Sequence, residues 1–210
     1  MSPRPVLWDV DTQVDFVRPD GKLPVPGADA VVPAMARLVA WARSSGIVHV
    51  ASADDHELTD PEISAAPDFT STFPAHCLRG TAGAARIPET QQDDPLVLSE
   101  AAAPPGRVAE LVAGRREILL LKRTVDVFSN PNADGVLEAL DPSEVIVFGV
   151  ATDVCDHAAI MGLLGRGRRV AFVEDASCGL DEARTTQCLE LWRAAGVRFT
   201  TSADIVGGPA

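Results

Sequence analysis

The chain has 210 residues, 46% of them hydrophobic, with a formal net charge of −12, which suits one acidic domain over 1–210 and excludes a phosphate-backbone-binding face, so no nucleic-acid partner is expected. No apolar run approaches the ~20 residues of a membrane span, so no membrane partner is expected either, and the N-terminal MSPRPVLWDVDTQVDF has acidic residues where a signal peptide needs its apolar centre. Four cysteines without a CxxC pair fit reduced thiols and a cytoplasmic location better than a disulfide framework or structural zinc.

Short apolar runs alternate with amphipathic stretches along the chain. PVLWDV, GIVHVAS, EILLL, EVIVFGV, RVAFVE and VRFTTS read as six strands, several apolar on both faces, as a sheet covered on both sides requires. Helical patterns run roughly over 28–45, 106–114, 132–140, 153–166 and 181–196, with Gly46 and Gly196 placed as C-caps before the next strand. Strand and helix in alternation predict a three-layer α/β domain: a six-stranded parallel sheet, Rossmann-like, with helices on both faces. One segment breaks the rhythm. From Asp54 to about Pro105 the chain is rich in Pro, Asp, Ser and Gly, contains His56 and His76, and leaves the C-terminal end of a strand, where open α/β sheets place ligands.

Three strand ends deliver reactive side chains. LWDVDTQVDF supplies Asp11, LLLKRT supplies Lys122 and GVATDVC supplies Cys155. In a parallel sheet these ends share one edge, so a carboxylate, an ammonium and a thiol can converge into a nucleophile site. An ammonium ~4 Å from a thiolate favours it by about 4 kcal/mol at an effective dielectric of ~20. A helix N-terminus pulls the same way, and its N–H groups can hold an oxyanion. Position alone leaves the plainer readings open: a structural cysteine, a turn-forming aspartate and a solvated lysine. Asp54, His56 and His76 form a weak pattern for a divalent transition metal such as zinc, manganese or iron.

The sequence resembles the isochorismatase-like cysteine hydrolases, and among them the nicotinamidase/pyrazinamidase group. DTQVDF with GKLPVPGA, the ADDH stretch, FPAHCLRGTAG, LLLKRTVDVF and GVATDVC occur in the family's order over nearly the whole chain. The resemblance implies an Asp11–Lys122–Cys155 triad, a cis Val150–Ala151 peptide, and an oxyanion hole from the N–H groups of Ala151 and Cys155. It implies a metal on Asp54, His56 and His76, with Phe73 replacing the usual Trp, and a homo-oligomer. Phe16 and Leu23 match pocket-wall positions, with core packing as the alternative. Phe128 is a further candidate for the wall.

Around these, Gln13 is expected to hydrogen-bond near the triad and Asp15 to order the first turn. Thr152 and Asp153 read as turn and cap residues before the nucleophile's helix, and His49 as a satisfied core residue. His157 lies two residues past Cys155, on a different helix face, and is poorly placed as its base. The activity implied is cysteine-dependent amide hydrolysis of a small-molecule amide, with nicotinamide to nicotinate and ammonia leading. Asp156 follows Cys155 where relatives usually carry an apolar residue; a carboxylate beside the pocket would favour cationic substrates. Another small amide or lactam, such as a carbamoyl amine or streptothricin-type lactam, is therefore the alternative. A non-catalytic binding or scaffold domain is the alternative of another class.

Overall fold

The computed structural model describes residues 4–104 and 106–208. Seven strands form one parallel sheet: β1 (Val6–Val10), β2 (Val48–Asp54), β3 (Leu96–Leu98), β4 (Glu117–Lys122), β5 (Val145–Val150), β6 (Val170–Cys178) and β7 (Arg198–Thr200), in the order β3-β4-β2-β1-β5-β6-β7. Chain order reverses about β1, whose neighbours are β2 and β5. That reversal opens a crevice at the carboxyl ends of the strands, the usual ligand position in open α/β sheets.

The expectation of six strands is corrected by β3. It lies in the stretch expected to be loop, and its three residues LVL are too short to show a period. Pairing of Leu96, Val97 and Leu98 with Ile118, Leu119 and Leu120 of β4 creates the strand. The expected loop end at Pro105 falls outside the described residues.

Strand alternation divides the core. Leu7, Ile146, Phe148, Ala171 and Val173 face the layer formed by α1 (Val14–Val17), α2 (Ala28–Ser45) and α7 (Ser202–Gly207). Val6, Trp8, Val10, Ile118, Leu120, Val145 and Val147 face the opposite layer of α3 (Arg107–Val112), α4 (Ala133–Leu140), α5 (Cys155–Gly165) and α6 (Glu182–Ala194). Helix α2 ends at Gly46, which is left-handed at φ 63° and donates its N–H back to Ala42 and Arg43. Among the described residues, no helix is long and apolar enough to cross a membrane.

Candidate active site

The carboxyl ends of four strands build the site. On β4, Ile118, Leu120 and Lys122 occupy alternate positions and all are buried, so the period that packs the leucine also carries the lysine inward. In register, Lys122 sits beside Asp54 at the end of β2. Asp11 follows β1 in a left-handed turn at φ 50°, its carboxylate accepting from Ser52 Oγ at 2.6 Å.

Lys122 Nζ has three neighbours: Asp11 Oδ2 at 2.8 Å, Asp54 Oδ1 at 2.5 Å and Cys155 Sγ at 3.6 Å. Asp54 and Cys155 accept hydrogen bonds from it, and Asp11 is held as an ion pair. The Cys155 sulfur and carboxylate oxygens of Asp11 and Asp54 lie within 4.8 Å of one another. The structure thus brings Asp11, Lys122 and Cys155 together, all buried.

Electrostatics refine the sequence expectation for the thiol. Burial pushes Cys155 well above the ordinary thiol range; Lys122 opposes this, and the Asp11 and Asp54 carboxylates add to it. One ammonium shared between two carboxylates has little left for a thiolate, so the resting group is a thiol. The carboxylates divide. Asp54 is held well below its ordinary value, because Lys122, with the His56 and His76 rings beside it, outweighs burial. Asp11 is raised by burial, opposed by Lys122 and reinforced by Asp54. Asp11 is therefore the one suited to taking up a proton. Lys122 stays protonated: burial disfavours its charge, but Asp11, Asp54 and Cys155 raise it well above the usual amine range.

Cys155 opens α5 immediately beyond a tight turn. Gly149 at φ 141° starts the bend; a Cβ there would lie 2.1 Å from the Val10 carbonyl oxygen, so only glycine fits. The Val150–Ala151 peptide is cis, as expected. Thr152 donates its N–H to the Cys178 carbonyl, and Val154 and Asp156 donate theirs to the Ala151 carbonyl. The N–H groups of Ala151 and Cys155 take no part in these bonds.

Asp54 also faces a second cluster. His56 Nδ1 donates to Asp60 Oδ2 at 3.1 Å, and His76 Nδ1 to the Pro74 carbonyl at 2.7 Å. Both partners only accept, so both Nδ1 atoms carry hydrogen, and a neutral ring then offers its Nε2 lone pair. The two Nε2 atoms each lie 3.5 Å from Asp54 Oδ2, and that of His56 is buried with no hydrogen-bond partner. With neutral rings, three acceptors converge on one point, the arrangement that could hold a cation. Two imidazoles and a carboxylate fit a divalent transition metal, with Asp60 and Pro74 orienting the rings. Asp54 joins the two clusters, giving Oδ1 to Lys122 and Oδ2 to the histidines.

Beside both clusters lies a tight cavity of about 20 Å³, room for about one water. Phe16, Leu23, Phe73, Val125, Val154 and Leu180 supply its apolar wall; Cys155, Ala151, Asp54, His76 and Glu62 supply its reactive and polar part. Phe16 and Leu23 line it and also pack in the core. Phe128 does not line it: it packs on Trp8 and under the Arg166 guanidinium, because the 3₁₀ turn Val127–Ser129 directs it toward α5. Asp156 is fully buried and absent from the wall, which removes it as a charge selector for substrate.

Several supporting residues also find their places. Gln13 donates from Nε2 to the Asp54 and Ala84 carbonyls, and its Oε1 accepts from the Asp54 N–H at 2.7 Å, clamping the end of β2. Asp15 accepts from the N–H groups of Lys22 and Cys77. Asp153 caps no bond of α5; it accepts instead from the Leu180 and Asp181 N–H groups ahead of α6 and from the Arg184 side chain within it. His157 Nδ1 accepts from Trp192 Nε1, away from the cavity. His49 is buried against Asp9, with Nδ1 unpartnered. Sequence reasoning missed Glu62 and Asp60. Asp60, four residues past His56, carries the faint signal of a carboxylate within reach of a histidine.

A family model described as the isochorismatase domain matches residues 6–204, and the chain belongs to that family. It is similar to the nicotinamidase/pyrazinamidase of Mycobacterium tuberculosis, 29% identical over 92% of this chain and 96% of the relative. It is 28% identical to the Escherichia coli nicotinamidase, over 97% of each chain. The fold matches a crystal structure of the Pyrococcus horikoshii pyrazinamidase in complex with zinc, with a TM-score of 0.74 at 23% identity over 95% of this chain and 99% of that one. The chain is a hydrolase acting on C–N bonds.

Proposed function

We propose that the protein is a cysteine-dependent amidohydrolase that converts nicotinamide to nicotinate and ammonia through a thioester. The observation that carries this reading is the meeting of Lys122 with Asp11, Asp54 and Cys155 beside a small cavity lined by Cys155, Asp54 and His76. The names and coverage of the two curated relatives support nicotinamide as the substrate.

Cys155 Sγ attacks the amide carbonyl as its proton passes to Asp11, whose raised proton affinity suits a base. Lys122 balances the negative charge as it moves from carboxylate to sulfur. The Ala151 and Cys155 N–H groups hold the tetrahedral oxyanion, a contact whose loss typically costs ~3 kcal/mol. The C–N bond breaks as Asp11 returns its proton to the leaving nitrogen, giving ammonia. Asp11 then takes a proton from water, which attacks the thioester; the C–S bond breaks, the acid leaves, and Asp11 returns the proton to the Cys155 sulfur. A divalent ion on Asp54, His56 and His76 would supply an electrophilic contact for a ring nitrogen.

The test is ammonia release from nicotinamide by protein of known metal content, with Cys155→Ala alongside. Cys155-dependent release is expected. Absence of release from metal-loaded protein that hydrolyses a carbamoyl amine or lactam instead would overturn nicotinamide as substrate while keeping the nucleophile.

A further inference from the structure

Asp15, in α1, is buried, yet the mechanism gives it no task. Its two carboxylate oxygens hold backbone donors from two segments: Oδ1 accepts the Lys22 N–H at 3.0 Å and Oδ2 the Cys77 N–H at 2.7 Å. Its own N–H donates to the Gly83 carbonyl at 3.0 Å, and a Cβ at Gly83 would lie 2.3 Å from the carboxyl carbon. A third segment thus closes tightly over the group.

Each oxygen leads to a different part of the site. Cys77 follows His76, and its carbonyl accepts the His56 N–H at 3.2 Å, so the Cys77 backbone joins the two histidines. Cys77 is left-handed at φ 43°, a conformation that a residue with a side chain keeps only where its surroundings impose it. The bond from its N–H to Asp15 is one such constraint. On the other oxygen, Lys22 precedes Leu23, whose N–H donates to the Asp15 carbonyl at 3.1 Å, and Phe16 follows Asp15 directly. Leu23 and Phe16 line the cavity, and the Phe16 ring centroid lies 5.1 Å from that of His76.

We propose that Asp15 is a positioning residue for the metal site: through the Cys77 N–H it sets the direction of the His76 imidazole toward Asp54, and through Lys22 it holds the wall residues Phe16 and Leu23 against that ring. The role rests on the reading of Asp54, His56 and His76 as metal ligands and is independent of which amide reacts. Groups that orient metal ligands typically change metal affinity about 10–100-fold when removed. Linkage runs both ways, so a bound ion also tightens the Lys22 and Cys77 bonds.

Asp15→Asn keeps the shape but sets an NH₂ group against one of the two backbone donors. Its zinc affinity, by chelator competition, is expected to fall about tenfold or more. Asp9→Asn, whose partners are Arg86 and His49, controls for lost stability and is expected to stay within about threefold of wild type. Zinc affinity of Asp15→Asn within about threefold of wild type, or an equal loss in Asp9→Asn, would overturn the proposal. Should Asp15→Asn not fold, the wild type alone decides: zinc is expected to slow hydrogen exchange of the Lys22 and Cys77 N–H groups about threefold or more, and unchanged exchange at Lys22 refutes the role. A metal-free readout is the nitrogen NMR spectrum of the His76 imidazole. With Nδ1–H donating to the Pro74 carbonyl at 2.7 Å, the wild type is expected to show that tautomer alone and Asp15→Asn a mixture; one tautomer in both contradicts the proposal. No zinc binding by the wild type, with tautomers mixed only in Asp15→Asn, would sink the metal reading and leave the positioning of His76 standing.

Discussion

Replacing Lys122 by methionine removes the one cation that two buried carboxylates share. Lys122 is fully buried, and its ammonium pairs with Asp11 at 2.8 Å and Asp54 at 2.5 Å. Methionine fills most of the volume, so the loss is one of charge rather than packing. Removing one partner of a buried ion pair costs about 3–5 kcal/mol, because the other is left uncompensated. For a chain of this size ~2–4 °C accompanies each kcal/mol, so Tm should fall by about 6–20 °C at neutral pH.

The pH dependence has a definite sign. In the wild type, Asp54 is held below its ordinary value, so it contributes stability above the unfolded pKa of ~3.9 that is lost as pH falls through the folded value. In Lys122→Met both carboxylates lack the cation, burial raises them, and their protonation relieves the folded state. The gap between the two proteins therefore narrows as pH falls from about 7 toward about 4. Thermal unfolding followed by circular dichroism across that range measures it. A Tm within about 2 °C of wild type at neutral pH, or a gap that does not narrow in acid, would refute the shared-cation account.

Beneath the site, Asp9 is buried against the guanidinium of Arg86 and has His49 Nε2 at 3.3 Å. Arg86 and His49 overcome the burial that would raise Asp9, so its contribution is lost as pH falls below the unfolded value; Asp9→Asn should cost about 3–5 kcal/mol near neutrality and flatten the acid side of the stability curve in denaturant titrations. Asp60→Ala removes the anchor of His56 Nδ1 and should weaken zinc binding about 10–100-fold in chelator competition; unchanged affinity would count against the ligand set. Gly149→Ala places a Cβ 2.1 Å from the Val10 carbonyl oxygen and should destabilise by more than about 2 kcal/mol in urea titration, a neutral result meaning the turn is less confined than its geometry indicates.

Much of this was legible in the sequence because the site stands on strand ends. The period of EILLLK places Lys122 on the face of Ile118 and Leu120, and the helix over 28–45 is bounded as Gly46 suggests. The order of the short motifs then made the family plain. What escaped depended on tertiary contact. The strand Leu96–Leu98 exists by pairing with β4, which a three-residue run cannot announce. Phe128 turned away from the cavity because a 3₁₀ turn, not a continued strand, follows Lys122. The thiol's environment also misled: a lysine beside a cysteine suggests a thiolate, but two carboxylates already divide that lysine between them. Asp156 read as a carboxylate beside the pocket, yet α5 buries it outside the cavity wall, with Thr152 in reach.

Trapping the covalent intermediate tests the central claim most directly. Metal-assayed protein is mixed with nicotinamide, quenched in acid during turnover, and the Cys155 peptide is weighed by mass spectrometry. The account predicts a nicotinoyl thioester on Cys155, absent from Asp11→Asn and from Cys155→Ala. Continued ammonia release by folded Cys155→Ala, with no adduct on the wild-type cysteine, would contradict it.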